Sequence, residues 1–375
     1  MGRVTAVHRL TRADARRVAV RAQLLTAERP TDVLDVLRHL NVLQPDPTSA
    51  VAPSADVVLW SRIGSAYEPA ELRDLVDTQR VVEVLGFLRP AEDMALLRAE
   101  MAERPATGRN AQQREITWQW LDDNAAARDD VLELLRADGP LPASSIPDTC
   151  VRPWRSSGWN DDRNVRMLLD VMAARGMVAV AGTERREKLW DLAERVYPDV
   201  PPVPVDEARR VRDERRLRAL GIARSRTTAR PAEPDDVGEA GEPAVVEGVR
   251  GTWRVDPAAL DATFHGRAAL LSPLDRLVLD RKRLAEVFES DYQLEMYKPA
   301  ARRRWGYWAL PVLHGDRVVG KLDASADVRA GVLRVTALHE DEPFPARVRD
   351  DVEAEVTDLA RWLELDLVRE PAPTS

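Results

Sequence analysis

Residues 160–192, "NDDRNVRMLLDVMAARGMVAVAGTERREKLWDL", decide the fold class of this chain. The first half, which ends at Gly176, has the apolar spacing of a capped amphipathic helix. The second half alternates apolar and polar residues on both sides of Gly182, which predicts a β-hairpin. A helix at 129–139 and a short helix or turn at 141–148 come before it. Helix, short helix, helix and hairpin is the order of a winged helix-turn-helix.

The segment that precedes this unit has the pattern of several short helices and one strand. Helix starts are predicted at Thr11, Thr31, Ser54, Pro69 and Pro90. The first two helices follow each other closely, which suggests a helix-turn-helix, and the last is expected to run to Met101. Between the last two, "RVVEVLGFL" is rich in β-branched residues and predicts a strand.

The second half of the chain changes from helical to β patterns. A helical unit, "DEARRVRDERRLRALGIARS", runs into an acidic segment at 229–248 that is either a linker or a wing. After Asp256 the alternation predicts strands, which lie in "DYQLEMYKP", "RWGYWALPVLHGDRVVGKLDASAD" and "AGVLRVTALHE". Turns are expected at 314–316 and at 330–331, and a last helix, "RDDVEAEVTDLARWLEL", closes the chain.

These patterns predict an α+β protein. Tandem winged helix-turn-helix units come first, followed by a small C-terminal antiparallel β-barrel-like domain with a closing helix. The expected domains are 1–106, which includes Gln44 and Asp46; 107–200; 201–256, with the acidic linker or wing; and 257–375. At 375 residues the chain is too long for one hydrophobic core.

Composition and charge limit the classes of function. No apolar run reaches the ~18 residues that a membrane-spanning helix needs, and the basic N-terminal segment lacks a secretory signal, so a cytoplasmic protein is expected. The single cysteine excludes an intrachain disulfide and a zinc site of paired thiolates. The five histidines are scattered. We therefore expect no metal and no cofactor, and a monomer because no heptad pattern is present.

The net charge of −8 is unevenly distributed along the sequence. Residues 205–230 hold nine Arg and four acidic residues, whereas 231–247 hold six acidic residues and no basic one. Residues 340–375 hold eleven acidic residues and four Arg. Such segregation permits a basic, nucleic-acid-binding face on an acidic protein, although solvated helix faces have the same pattern.

Gln44 and Asp46 lie two residues apart in "HLNVLQPDPTSAVAPSADVVLWSRIG", residues 39–64. Prolines on both sides of Asp46 end the preceding helix. On its own, a Gln and an Asp in such a turn are also explained by a loop in which the Asp caps the backbone.

The wider sequence resembles the winged-helix DNA glycosylases of the YcaQ and AlkZ type, which unhook interstrand crosslinks. The quoted segment is similar to the Q-x-D (or Q-x-Q) and L-W-S-R-x-G motifs of that family. Residues 156–198 resemble its second winged helix. Residues 269–335, from "ALLSPLDRLVLDRKRLAEVFESDYQLEMYKP" onward, are similar to its C-terminal β-domain. The resemblance extends from about Leu10 to about Leu365.

The resemblance implies that Gln44 and Asp46 are the catalytic residues of a DNA N-glycosylase. A carboxylate suits the oxocarbenium character that develops on the sugar, and an amide can hold the attacking water. In the family, an acid at the second position accompanies crosslink unhooking and wider substrate tolerance. Two departures stand out: Pro45 replaces an aliphatic residue, and "VVEVLGFLRPAED" replaces a segment with His-Glu.

Cations followed by aromatic residues indicate a surface for DNA. The predicted DNA contacts are Arg62, Arg281, Lys282, Arg283, Lys298, Arg302, Arg303 and Arg304. Trp305, Tyr307 and Trp308 could stack on bases, but in a strand Trp305 and Tyr307 share one face, and the core is favoured for all three aromatic residues.

The expected partner is double-stranded DNA with alkylated bases or crosslinks, and no membrane. The alternatives are a winged-helix regulator that reads DNA sequence and a paralogue that binds lesions without cleaving them. The predicted recognition helix starts with Asn160-Asp161-Asp162, and its acids repel phosphate. This counts against base reading by that helix and favours winged helices as a scaffold.

Overall fold

The computed structural model describes residues 7–46, 48, 50–102, 111–155, 163–185, 187–227, 233–260 and 263–370. The α-helices are α1 (Arg12–Ala22), α2 (Val33–Leu40), α3 (Ser54–Ile63), α4 (Pro69–Asp77), α5 (Arg98–Ala102), α6 (Ala111–Asp123), α7 (Ala125–Asp138), α8 (Asn164–Ala174), α9 (Ala193–Val196), α10 (Val205–Leu220), α11 (Arg276–Leu279), α12 (Arg281–Val287) and α13 (Ala346–Trp362). Short 3₁₀ helices lie at Ala91–Leu96, Ala143–Ser145, Pro257–Ala259 and Ala300–Arg302.

The strands alternate with these helices along the chain. They are β1 (His8–Leu10), β2 (Val81–Val84), β3 (Phe87–Pro90), β4 (Leu141–Pro142), β5 (Val178–Glu184), β6 (Glu187–Leu192), β7 (Ile222–Arg224), β8 (Glu242–Val246), β9 (Val249–Val255), β10 (Ala268–Leu270), β11 (Leu310–His314), β12 (Arg317–Asp327), β13 (Val332–Glu340) and β14 (Asp366–Arg369). Within the described residues they form sheets of order β1-β8-β9-β7, β3-β2-β5-β6-β4 and β10-β11-β12-β13-β14. The predicted α+β class is confirmed.

Contacts along the chain define two compact units. The first comprises Met1–Leu72, Asp213–Arg226 and Asp236–Ser375, and the second comprises Arg73–Arg212 and Thr227–Asp235. The first unit contains the sheets of β1 and of β10, and the second contains the sheet of β2. The four-domain division stays a prediction.

Capping side chains set the starts of the N-terminal helices in the first unit. Thr11 caps α1 as predicted: its hydroxyl accepts from the Asp14 N–H at 3.1 Å, and the Asp14 carboxylate accepts from the Thr11 N–H at 3.1 Å. The predicted cap of α2 is wrong by one residue. Asp32, not Thr31, has the extended backbone of a cap and accepts from the Asp35 N–H at 2.8 Å.

The C-terminal sheet of the first unit has the predicted turns. Gly315 and Gly331 connect its hairpins with φ of 61° and 70°, a conformation that favours glycine. Helix α13 buries Val352, Val356 and Leu359. The sheet is not wholly antiparallel, because β14 pairs with β13 in parallel.

The segment "DYQLEMYKP" is not a strand, and β11 starts only at Leu310. Pro299 cannot donate to a strand ladder, and the backbone N–H groups of Arg304 and Trp305 donate to a side chain instead. The prediction that Trp305 and Tyr307 share one face of a strand is therefore wrong.

The hairpin predicted in the second unit is present as β5 and β6. Its turn lies after Glu184, where Arg185 has a φ of 48°, and not at Gly182, which lies in β5 beside a register shift. The predicted strand at "RVVEVLGFL" is a second hairpin, β2 and β3, in which Leu85 and Gly86 both have positive φ, as a type I′ hairpin turn requires.

The structure differs in part from two further expectations. The helix predicted from Pro90 to Met101 divides into the 3₁₀ helix Ala91–Leu96 and α5. Within the predicted linker or wing, β8 pairs with β9 around Gly248. Residues 229–232 of that region, and Asn160-Asp161-Asp162, lie outside the described residues.

Candidate active site and DNA-binding surface

The loop between α2 and α3, residues 41–53, carries Gln44 and Asp46. The Asp46 N–H donates to the Gln44 carbonyl at 2.9 Å, which closes a three-residue turn around Pro45. An inverse γ-turn needs a central φ near the value that a proline ring imposes. Pro45 therefore suits this turn.

The Asp46 carboxylate is held on one side and open on the other. Its Oδ1 atom accepts from the Thr48 N–H at 2.8 Å, and the residue is partly exposed. Among the described residues the other carboxylate oxygen has no hydrogen-bond partner, and neither has the partly exposed Gln44 amide. A fixed carboxylate with an open oxygen beside an open amide can bind a water molecule and a developing positive charge.

Contacts on the far side of the loop hold it in place. The Ser54 N–H donates to the Asp46 carbonyl at 3.3 Å, and the Ala326 N–H of β12 donates to the Ala50 carbonyl at 2.7 Å. Buried Ser54 and Ser272 join their hydroxyl oxygens at 2.7 Å. The loop thus meets β12, and the first residue of α3 meets Ser272, which lies shortly before α11.

Arg62 on α3 is fully buried, so its predicted role as a DNA contact is wrong. Its guanidinium forms a two-armed ion pair with Asp275, at 3.0 Å for the Nη2–Oδ1 arm, and its Nε donates to the Gln23 carbonyl at 3.0 Å. A guanidinium can satisfy its donors in this way without water. Asp275 also caps α11. Arg62 therefore stabilises the fold.

Arg283 on α12 is likewise buried, and the prediction that it contacts DNA is also wrong. Its Nη2 donates to the Arg276 carbonyl at 2.9 Å. The neighbouring Arg281 and Lys282 are exposed, and in the described part of the chain neither side chain forms an ion pair. Helical spacing directs Arg283 inward and leaves the two preceding cations in solvent.

Residues 295–305, here called the basic loop, contain the other four predicted cations. Exposed Arg302 has no ion-pair partner within the described residues, and Arg304 pairs with Asp291 at 2.9 Å while keeping 68% of its side chain exposed. The Arg303 Nε donates to the Lys298 carbonyl at 3.0 Å. The Lys298 ammonium donates to Glu295 at 2.7 Å.

Glu295 organises the basic loop, and sequence reasoning missed it. Its buried carboxylate accepts from the Lys298 ammonium and, at 2.6 and 2.8 Å, from the N–H groups of Arg304 and Trp305. Burial opposes ionisation, but these hydrogen bonds outweigh it and keep the pKa of Glu295 below its usual value. An acid within a basic run, between apolar neighbours, was the available signal.

The aromatic residues of this region divide between core and surface. Trp305 and Trp308 are buried, as favoured from the sequence. Tyr307 is 42% exposed and lies under the Arg303 guanidinium at 5.0 Å, so the prediction of a core position is wrong for it. Tyr297, which the sequence did not single out, is 84% exposed.

The two loops meet the same strand. Gly306, directly after the basic loop, lies so close to Asp323 of β12 that a Cβ would be 2.3 Å from the carboxyl carbon, and its φ is +122°. Ala326, which binds Ala50, is three residues further along β12. At ~3.3 Å per residue the contacts are about 10 Å apart. The turn beyond β12 exposes Val328 and Arg329.

The described residues provide no metal site and no membrane-spanning helix. No group of three His, Cys, Asp or Glu side chains among them could hold a metal ion. None of the helices described is long and apolar enough to span a membrane.

An α+β chain with an amide and a carboxylate open to solvent near a cationic loop has the features of a DNA-processing enzyme. The family model "DNA glycosylase AlkZ-like" matches residues 37–362. The chain belongs to the AlkZ-like DNA glycosylase family, which confirms the resemblance seen in the sequence and makes DNA the substrate class. Among solved structures it is similar to the Streptomyces sahachiroi DNA glycosylase AlkZ, with a TM-score of 0.63 and 16% identity over 96% of this chain and 100% of that chain. At this identity the likeness shows a shared fold.

Proposed function

We propose that this glycosylase is monofunctional, hydrolyses the N-glycosidic bond of N7-alkylated purines, and unhooks interstrand crosslinks. The observation that carries the proposal is the Asp46 carboxylate, which is partly exposed and held by Thr48 through only one oxygen. Gln44 lies across the Pro45 turn with its amide also open.

Cleavage of the glycosidic bond leaves positive charge on the sugar. The Asp46 carboxylate stabilises this oxocarbenium-like state and accepts a proton from the attacking water. Gln44 holds that water, since an amide donates through its nitrogen and accepts through its oxygen. The Thr48 N–H keeps the Asp46 carboxylate in one orientation. Less free energy is therefore needed to orient the carboxylate when the transition state forms.

The leaving group explains why so few side chains are needed. An N7-alkylated purine carries a positive charge and departs as a neutral base, so no strong general acid is required. Residues 39–64 contain no lysine that could form a Schiff base with the abasic sugar, which supports a monofunctional enzyme. The damaged nucleotide and water are thus the only reactants, and the products are the free base and an abasic site.

Crosslink unhooking requires a base that stays tethered to the other strand, which a closed base-flipping pocket cannot accept. The partial exposure of both Gln44 and Asp46 supports an open site. The acid at the second motif position, Asp46, supports the same substrate range through the resemblance.

For the DNA surface we retain the six predicted cations that are not buried. They are Arg281, Lys282, Lys298, Arg302, Arg303 and Arg304. In the second unit, α7, α8 and the order β5-β6-β4 support the proposal of a winged helix, and we propose a scaffolding role for it. The protein is proposed to act as a monomer.

The test is release of base from DNA. The protein is incubated with one duplex that contains N7-methylguanine and with a second that contains a defined N7 crosslink. Free base and alkali-labile abasic sites are measured. Release from both duplexes supports the proposal, and release from the first alone restricts it to monoadducts. Tight binding without release from either would overturn it and favour a lesion-binding protein. A borohydride-trapped protein–DNA adduct at stoichiometric yield would refute monofunctional chemistry.

A further inference from the structure

Tyr297 lies in the first turn of the basic loop with 84% of its surface exposed. The Lys298 N–H donates to the Glu295 carbonyl at 2.8 Å, so residues 295–298 form a tight turn with Tyr297 in its second half. A single exposed aromatic residue is common and by itself says nothing about function. The support beneath it is the informative feature.

The turn is fixed from inside the protein. The Glu295 carboxylate, only 2% exposed, receives donors from Lys298 at one end of the loop and from Arg304 and Trp305 at the other. These bonds join the two ends of the loop across nine or ten residues. A backbone so restrained loses little further freedom when a ligand binds to it.

The far end of the loop is fixed by Trp305. Its ring, 6% exposed, stacks on Tyr292 at 6.0 Å and lies 4.8 Å from the buried Lys321 ammonium. The Tyr292 hydroxyl donates to the Ala309 carbonyl at 2.8 Å. The core therefore holds one aromatic residue of this segment while Tyr297 is left in solvent.

Charge and position identify the class of ligand. Arg302 is exposed and Arg304 is 68% exposed, so the loop that carries the tyrosine also presents cations to solvent. Cations next to an exposed ring suit phosphates beside an unstacked base. The chain directly after the basic loop and the loop of Asp46 contact β12 at points about 10 Å apart, so both loops belong to the same part of the first unit.

We infer that Tyr297 stacks on an unpaired nucleobase of bound DNA, with the adjacent phosphates at Arg302 and Arg304. This inference rests on the proposed function in that the unpaired base is one opened near the lesion. A paired duplex offers the tyrosine no free base face, so the contact distinguishes opened DNA from intact DNA. The phenol hydroxyl is not required.

The test measures binding to undamaged DNA. One duplex carries an unpaired 2-aminopurine, whose fluorescence falls on stacking, and a matched duplex is fully paired. Tyr297→Ala is expected to weaken binding to the first about tenfold and to the second less than twofold, with loss of quenching. Tyr297→Phe should behave as the unchanged protein. Val151→Ala, at an apolar residue that is 72% exposed in the second unit, is the control.

Equal affinity of Tyr297→Ala and the unchanged protein for the unpaired duplex overturns the inference, as does an equal loss on both duplexes. Thermal unfolding of each variant checks that the fold is kept. Base release from N7-methylguanine DNA, measured in parallel, separates the two proposals. If base is released and Tyr297→Ala binds the unpaired duplex as the unchanged protein does, the catalytic proposal is kept and the stacking inference is overturned. A selective binding loss without any release leaves only the stacking contact.

Discussion

Asp46 and Glu295 are both acids in proline-containing loops that meet β12, yet the structure uses them in opposite ways. Glu295 is buried, and three donors surround its carboxylate. Asp46 is partly exposed, and one backbone N–H holds it. A carboxylate with all its partners inside the protein stabilises structure, whereas one with an open oxygen is available for a reaction.

The same division applies to the cations. Arg62 is buried with Asp275 and Gln23 as partners, while Arg302 lies in solvent without an ion pair in the described chain. The number of partners and the degree of burial, more than residue type, separate residues that stabilise this fold from residues that are open to solvent. The predictions below test that rule.

The largest effect is expected from Asp46→Asn. Loss of the carboxylate removes both charge stabilisation and the proton acceptor, so turnover on N7-methylguanine DNA should fall by about 10²–10⁴-fold. The asparagine can still accept from the Thr48 N–H, so the unfolding temperature should stay the same. Single-turnover kinetics and thermal unfolding measure the two. Retained turnover would remove Asp46 from the mechanism.

The next largest effect is expected from Arg62→Met. It leaves the Asp275 carboxylate buried without its partner, which should lower the free energy of unfolding by about 3–5 kcal/mol. Urea unfolding measures the loss. The double variant Arg62→Met with Asp275→Asn should recover part of it, because the buried charge is gone. Full stability combined with weaker DNA binding would instead restore Arg62 as a DNA contact.

Glu295→Gln tests whether the buried Glu295 carboxylate stabilises the structure. An amide cannot accept from all three donors, so a loss of about 1.5–3 kcal/mol is expected at neutral pH. The native pKa of Glu295 lies below 4.5, its usual value: burial opposes ionisation, and the bonds from Lys298, Trp305 and Arg304 outweigh it. The contribution of Glu295 to the free energy of unfolding is therefore complete above its usual pKa, and it is lost as pH falls through the lower native pKa.

Urea unfolding from pH 7 to pH 3 measures this dependence. The difference between Glu295→Gln and the unchanged protein should be constant above about pH 5 and narrow below the usual glutamate pKa. Asp46→Asn is the matched control, with little difference expected at neutral pH. If the difference in free energy of unfolding between the two proteins stays constant from pH 5 to pH 3, the charge of Glu295 does not stabilise the basic loop.

Gln44→Ala should have a smaller effect on turnover than Asp46→Asn. The amide contributes neutral hydrogen bonds to the water, so a loss of about tenfold, or ~1.4 kcal/mol, is expected. DNA affinity should not change, since Gln44 carries no charge. A loss as large as that of Asp46→Asn would mean that Gln44 takes part in proton transfer.

The smallest effects are expected at single surface cations. Arg302→Ala should weaken DNA binding a few-fold and reduce by about 1 the slope of log affinity against log salt. Arg347→Ala, at an arginine that is 91% exposed on the acidic helix α13, is the matched control and should leave the slope unchanged. Equal effects of both variants would contradict a DNA surface at the basic loop.

Local sequence accounts for much of what was predicted correctly. The capping box at Thr11, the hairpin of β5 and β6 and the glycine turns at 315 and 331 depend on neighbours within a few residues. The segment with Gln44 and Asp46 was also found from sequence, because its prolines predict a loop and the motif resembles that of a known family. The γ-turn that relates the two side chains needed coordinates.

The failures share one physical cause. Arg62 and Arg283 look like surface cations, but their partners come from elsewhere: Asp275 is 213 residues from Arg62, and the Ile222 carbonyl is 61 residues from Arg283. The predicted strand "DYQLEMYKP" failed for a similar reason, since Glu295 takes the backbone donors of residues nine and ten positions ahead.

The sequence by itself determined the alternation of helices and hairpins, the family and the position of the proposed catalytic motif, because these follow from short-range periodicity and residue identity. Only the tertiary structure decided which charged side chains are buried and which are exposed to solvent. A charged side chain is stable in the interior only where other segments supply its hydrogen bonds. When those segments are distant in sequence, no local pattern predicts the contact.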